Sequence, residues 1–259
     1  METIFICILA GMGAGLGTGF AGMSAAVVIS PMLITFLGVN PFEAIGIALA
    51  SDVLASAISA YTYGKNKNID LKRSKSMFIS VLIFTGIGAF IAHQVPTTTM
   101  GNLSVFGSLL MGINFLKKSF VEEKPKEHKE FTGKLKTLMP ILCGCSVGFV
   151  CGFIGAGGGI MMLILLTTVL GYELKTAVGT SVFIMTFTAL FGATSHFTLQ
   201  GAFPDPLIFG TCVLSTLFFA YYGARFANKA QPKILNRTTG TVLATLGVVM
   251  IVTQQMQGM

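Results

Sequence analysis

The chain has 259 residues, of which 53% are hydrophobic and only 10% are charged, and its mean hydropathy is +0.79. Because soluble domains carry roughly 25% charged residues, this composition excludes a soluble globular protein and indicates an integral membrane protein. The formal net charge of +7 does not indicate nucleic-acid binding, since the basic residues lie in three short loops between apolar segments, at positions 65–75, 117–136 and 225–237.

Ten apolar segments follow one another along the chain, five in each half. They are Thr3–Gly19, Ser24–Leu37, Phe42–Tyr63, Ser76–Gln94 and Thr99–Lys117, then Leu138–Cys151, Gly158–Leu170, Leu174–His196, Pro206–Ala227 and Ile234–Gln254. The first two segments of each half have roughly 14 to 17 residues, fewer than the ~20 that a helix needs to span a bilayer. The third segment begins where Asn40 can cap a helix and Pro41 fits its first position.

The two halves are copies of one another. A shift of 133 residues aligns residues 8–64 with residues 141–197 without a gap, and identical residues meet at Ile8, Leu9, Gly11, Gly15, Gly19, Phe20, Gly22, Thr35, Leu37, Gly38, Ala44, Gly46 and Ala60. An internal duplication of this kind predicts a repeated architecture. We therefore expect a first membrane repeat at 1–118, a cytoplasmic linker at 119–136 and a second membrane repeat at 137–259.

The three basic loops orient the segments, because Lys and Arg in short loops stay on the cytoplasmic side. All three lie inside if the two short segments of each half form a hairpin and the other three segments cross singly. Both termini then lie outside and the two repeats are inverted. The predicted fold is an all-α integral membrane protein of the cytoplasmic membrane, with a glycine-broken helix hairpin and three transmembrane helices in each repeat. Inverted repeats with such interrupted segments are typical of secondary transporters.

Glycine clusters at the break inside each hairpin. Both copies contain Gly-Phe-x-Gly, in GAGLGTGFAGMSAA (Gly13–Ala26) and in GFVCGFIGAGGGIMM (Gly148–Met162). A helix that starts inside the membrane presents free N–H groups and a positive dipole end to an anion, and glycine allows close approach. The predicted substrate site comprises Gly22, Met23, Ser24, Gly155, Ala156, Gly157, Gly158 and Gly159. Close helix packing through small residues is the alternative.

The sequence GFIGAGGGIMM, followed by LGYELKTAVGTSVF, resembles the TauE/SafE family of sulfite and organosulfonate permeases. The resemblance covers essentially the whole chain. It implies movement of a small sulfur-containing anion, or a carboxylated relative, across the cytoplasmic membrane. The first half departs from the glycine-rich pattern, because it has Met-Ser-Ala-Ala at 23–26 where the second has Ala-Gly-Gly-Gly at 156–159, so we expect the two breaks to contribute unequally.

Other polar residues lie inside apolar segments. Asp52 is predicted to couple transport to a proton or sodium ion, since a carboxylate inside the membrane needs a cavity or a partner; a structural hydrogen bond is the alternative. Thr180 and Ser181 can donate hydroxyl hydrogen bonds to an anion or to their own helix backbone. His93 and His196 are expected at the membrane interface.

Several functions are excluded or left open. No GKS or GKT motif follows either glycine cluster, which argues against ATP hydrolysis, and neither a catalytic arrangement nor a metal-ligand spacing is present. We therefore expect a transporter that is not an enzyme, with no cofactor, and with membrane lipid and a small anion as its partners. A passive anion channel and a carrier of another organic anion remain alternatives, and the oligomeric state is open.

Overall fold

The computed structural model describes residues 1–120, 135–155, 158–201 and 203–227, and beyond them residues 237, 240–241, 244–250 and 252–253. Within these ranges the chain is helical and contains no strand. The helices are α1 Glu2–Ala21, α2 Ala26–Leu37, α3 Pro41–Lys65, α4 Leu71–His93, α5 Thr97–Phe120, α6 Leu135–Ile154, α7 Gly158–Thr168, α8 Leu174–Gln200 and α9 Pro206–Ala227. Of the tenth predicted segment, residues 244–250 are described and helical.

The helices confirm the predicted membrane protein. Five of those in the described ranges, α1, α3, α4, α8 and α9, are long and apolar enough to span a bilayer. Their outward faces carry large exposed apolar side chains such as Phe5, Ile83 and Leu214. Such a surface is stable against lipid and unstable in water.

The hairpins differ from the prediction in one respect. Helices α1 and α6 have 20 residues each, about 30 Å of helix, although the apolar part of α6 is the shorter stretch Leu138–Ile154. Only the second helix of each hairpin is short, with 12 residues in α2 and 11 in α7. These two helices are therefore too short to span a bilayer as single straight helices.

Paired glycines end the hairpin helices. Gly22 follows α1 with a φ of +61° and its repeat mate Gly155 follows α6 with a φ of +72°; Gly38 and its mate Gly171 follow α2 and α7 with φ values of +63° and +70°. The left-handed conformation is strained for residues with a side chain, which explains glycine at these helix ends. The predicted start of α3 is confirmed, because Asn40 Oδ1 accepts a 2.9 Å hydrogen bond from Phe42 N–H.

Packing between the halves is reciprocal. Helix α1 packs on α9 and α6 packs on α4, so the first helix of each half lies against the fourth helix of the other, and α3 packs on α8 at the centre. Glycine stripes make the first two contacts close: a Cβ on Gly15 would lie 2.4 Å from Thr216 O, and one on Gly148 would lie 2.3 Å from Val81 O. Close helix packing through small residues, the alternative given in the sequence analysis, therefore applies to these glycines. The opposite membrane orientation of the halves stays a prediction.

Candidate functional site

The two helix breaks lie against each other in the middle of the protein. The first tip, residues 22–25, joins α1 to α2, and the second tip, which includes Gly155, joins α6 to α7. The Ser24 hydroxyl donates a hydrogen bond to Gly155 O at 3.2 Å. A Cβ built on Gly159 would lie 2.2 Å from Gly22 O and 3.0 Å from Ser24 N. Glycine at 159 thus allows backbone from the two halves to touch.

The glycines of the tips differ in what surrounds them. A Cβ on Gly22 would lie 2.9 Å from Ser181 Oγ, and a Cβ on Gly155 would lie 2.5 Å from a methyl group of Ile45. At Gly158, the first residue of α7, the nearest atoms would be Cβ and Sγ of Cys151 at 3.1 Å. Gly158 therefore has the loosest surroundings of the four. The predicted site residues Ala156 and Gly157 lie outside the described residues.

Polar groups of the first tip accept hydrogen bonds from the start of α2. Ser24 Oγ accepts a 3.3 Å hydrogen bond from Ala26 N–H, and Ser24 O accepts one from Val27 N–H at 3.2 Å. Met23 is fully buried, and its side chain packs back on α1, because a Cβ on Gly17 would lie 2.2 Å from Met23 Cε. Of the three residues predicted at this tip, Ser24 and Gly22 contact the other half.

The predicted hydroxyl donors are separated from one another. Ser181 is buried and close to Gly22, and its hydroxyl donates to Val178 O at 2.9 Å. Thr180 faces the connection between α3 and α4, where its hydroxyl oxygen accepts a 3.0 Å hydrogen bond from Asp70 N–H. The structure therefore brings Ser181 to the tips and places Thr180 at the start of α4.

Asp52 lies at the first tip and is fully buried on α3. Neither of its carboxylate oxygens makes a hydrogen bond within the described part of the chain. The nearest polar groups are the hydroxyls of Ser24 and Thr18 and the backbone N–H of Ala25, and the thiol of Cys151 lies within electrostatic range. A carboxyl group thus occupies the N-terminal end of α2, where an anion would otherwise be attracted.

Sequence reasoning missed two neighbours of Asp52. Thr18 lies one helical turn before Gly22, and Cys151 lies one turn before Gly155, so each approaches the tip from the end of the preceding helix. Their spacing from the glycine breaks is the signal that would have found them, since residues four apart share one face of a helix.

The expectation for His196 is wrong. Its side chain is fully buried, with Nδ1 3.3 Å from Phe42 O and Nε2 3.0 Å from Gly152 O. One imidazole on α8 therefore joins α3 to α6. It lies near the end of its segment, as the sequence indicates, but it is buried between helices. Gly46 of α3 has no side chain, and this leaves room for the Cβ of His196 beside it.

Known proteins match this chain over nearly its whole length. The model of the family described as "Sulfite exporter TauE/SafE" matches residues 7–250. A Methanocaldococcus jannaschii protein named as a probable membrane transporter is 26% identical over 95% of this chain and 94% of its own length. Bacillus subtilis YunE, also named as a probable membrane transporter protein, is 24% identical over 93% of this chain and 95% of its own length.

Proposed function

Because the chain belongs to the sulfite exporter TauE/SafE family of membrane transporters, we propose that it is a secondary transporter for a small sulfur-containing anion, such as sulfite or an organosulfonate, in the cytoplasmic membrane. The family description supports the substrate class. The names of the relatives support transport without naming a substrate.

The observation that carries the proposal is the start of α7 at the contact between the two halves. Gly158 and Gly159 are its first two residues and both are buried. Their backbone N–H groups lie at the positive end of a helix dipole, which favours an anion. The anion in this proposal lies between the tips, near Gly155, Gly158 and Gly159 of one half and Gly22 and Ser24 of the other.

Ser181 lies beside this proposed site, with its hydroxyl near Gly22, but its proton is donated to Val178 O, so it lines the site without offering the anion a free donor. Thr180 has no part in it, because its hydroxyl lies at the start of α4, beside Asp70, and not at the tips. Met23 offers the anion neither its side chain, which packs on α1, nor its N–H, which donates to Gly17 O at 3.4 Å.

Contact between the tips favours a carrier over an open channel. Backbone of Gly22 and Gly159 meets directly, and Ser24 bonds to Gly155, so an anion reaches the site only when the tips separate. Alternating separation toward either side is the behaviour of transporters with paired repeats. Asp52 gives this cycle a coupling group for a proton or a sodium ion, because it is a fully buried carboxyl group at the first tip and neither of its oxygens is hydrogen-bonded within the described residues.

The substrate test uses purified protein in liposomes with sulfite, thiosulfate, sulfoacetate and sulfate. We expect one of the sulfur anions to accumulate against its gradient and to exchange with labelled anion faster than net flux. A channel would show net flux without accelerated exchange, and transport of a carboxylate alone would indicate a different organic-anion carrier.

The site test is Gly158→Ala, with Gly210→Ala as its control. The added methyl at 158 meets Cys151 at 3.1 Å, whereas at 210, within α9, nothing lies within 4 Å. Gly144 is unsuitable as a control because a Cβ there would lie 2.0 Å from Ser80 Oγ. We expect Gly158→Ala to lose at least about tenfold in anion affinity, a loss of roughly 1.4 kcal/mol, with little change in thermal stability. A folded Gly158→Ala protein with wild-type affinity would refute the site.

A further inference from the structure

The hydroxyl protons around Asp52 are already used. Thr18 donates its single hydroxyl proton to Ala14 O at 2.9 Å, and Ser24 donates its proton to Gly155 O at 3.2 Å. Each hydroxyl has one proton and two lone pairs. The hydroxyl oxygens near Asp52 therefore offer it lone pairs and no protons, and a carboxylate at this place has no hydroxyl donor for either of its oxygens.

The protonated, neutral form of the Asp52 carboxyl group can form hydrogen bonds with these neighbours. A neutral carboxyl group has an acceptor oxygen and an O–H donor. The acceptor matches the Ala25 N–H, and the O–H matches a lone pair of Ser24 or Thr18. We propose that Asp52 holds a proton when the two tips are in contact, and that a proton is therefore the ion coupled to anion transport.

The surroundings favour a proton over a metal cation. The Ala25 N–H, which faces Asp52, places a positive hydrogen where a sodium ion would need an oxygen ligand. Among the described residues, the Cys151 thiol of α6 is a titratable group within electrostatic range of Asp52. Helix α1 and the first tip present the hydroxyls of Thr18 and Ser24 and the Ala25 N–H there. No nearby cation in the described residues competes with the proton.

The link to transport rests on the proposed function. An anion at the start of α7 and a charged Asp52 at the start of α2 would repel each other across the contact, so anion binding favours the protonated carboxyl. When the tips separate, water reaches Asp52, the carboxyl releases its proton to that side, and the anion leaves there too. One proton therefore moves with each anion in the same direction.

The proton is tested directly by infrared spectroscopy of the purified full-length protein. Asp52 is the one buried carboxyl group in the described part of the chain, so the C=O stretch of a protonated carboxyl at neutral pH is expected from it. The band should vanish in Asp52→Asn and persist in Asp205→Asn, whose exposed side chain caps α9. Absence of an Asp52-dependent band at every pH at which the protein is folded would overturn the proposal, whatever transport shows.

A second measurement keeps the test informative if the band is weak. Asparagine reproduces the neutral carboxyl, with its carbonyl facing Ala25 N–H and its NH₂ facing the hydroxyl oxygens, so Asp52→Asn should unfold at the wild-type temperature. A marked loss of stability in Asp52→Asn would mean that the carboxylate is the native form and would overturn the proton site.

Transport then tests the coupling. In liposomes we expect a pH gradient to drive anion accumulation by the wild type, and Asp52→Asn to lose that accumulation while retaining anion exchange. Accumulation driven by a sodium gradient would overturn the proton as coupling ion. An Asp52-dependent band in a protein that moves no sulfur anion would support the proton site and contradict the proposed substrate instead.

Discussion

The contact between the two tips makes Gly159→Ala the most informative single substitution. The new Cβ would lie 2.2 Å from Gly22 O and 2.5 Å from Met185 Sδ. The methionine side chain is flexible and moves aside, but Gly22 O belongs to a left-handed turn of the opposite half. Ordinary contact begins at 3.4 Å, so the tips must separate by about 1 Å, which is an overpacking change of roughly 1–3 kcal/mol or more.

Thermal unfolding in detergent measures this effect. At roughly 2–4 °C per kcal/mol for a chain of this size, Gly159→Ala should unfold about 3–10 °C below the wild type. The control Gly210→Ala adds a methyl to open space in α9, and the better helix propensity of alanine should leave its unfolding temperature equal or slightly higher. If Gly159→Ala and Gly210→Ala unfold at the same temperature, the tips are not in contact and the site at their junction is wrong.

Two further predictions concern the interface histidine and the membrane orientation. His196→Gln should lower the free energy of unfolding by about 1–3 kcal/mol, because the two carbonyl oxygens face different ring nitrogens, whereas a glutamine amide carries both of its N–H donors on one nitrogen. Denaturation compared with His93→Gln checks this, and equal stability would contradict the link between α3 and α6. A cysteine at Lys67 should react with impermeant reagents from the cytoplasm and one at Phe203 from outside; labelling of both from one side would refute the predicted inversion.

Much of the fold could be predicted from sequence because membrane helices are encoded locally. Apolar length, the Asn40 cap and the glycine breaks placed the described helices with small errors at their ends. The largest error is at α4, predicted to begin at Ser76 and observed from Leu71. Basic residues mark the membrane surface, whereas the helix continues past that surface into the loop, so charge is a poor guide to where a helix starts.

The site was less predictable because it depends on contacts between distant residues. The pattern at Gly157–Gly159 indicated a helix start that an anion can approach, but it did not indicate that Gly159 meets Gly22 or that Asp52 faces α2. Thr180 and Ser181 are adjacent in sequence and point to different partners, which periodicity alone does not resolve. Likewise, the place of His196 near the end of its segment indicated a position at the membrane interface, although its polar partners come from two other helices.

The pairing of α1 with α9 sets the order of events during synthesis. The glycine face of α1, with Gly15 at its middle, closes against Thr216 and Ala220, which the ribosome adds about 200 residues later. At translation rates of roughly 5–20 residues per second, α1 waits on the order of 10 to 40 s for that partner. The first half therefore enters the membrane as an unfinished structure, and truncated chains that end before α9 leave a lipid-exposed glycine face. Cells that express the two halves as separate chains should recover a stable protein only when both are present together.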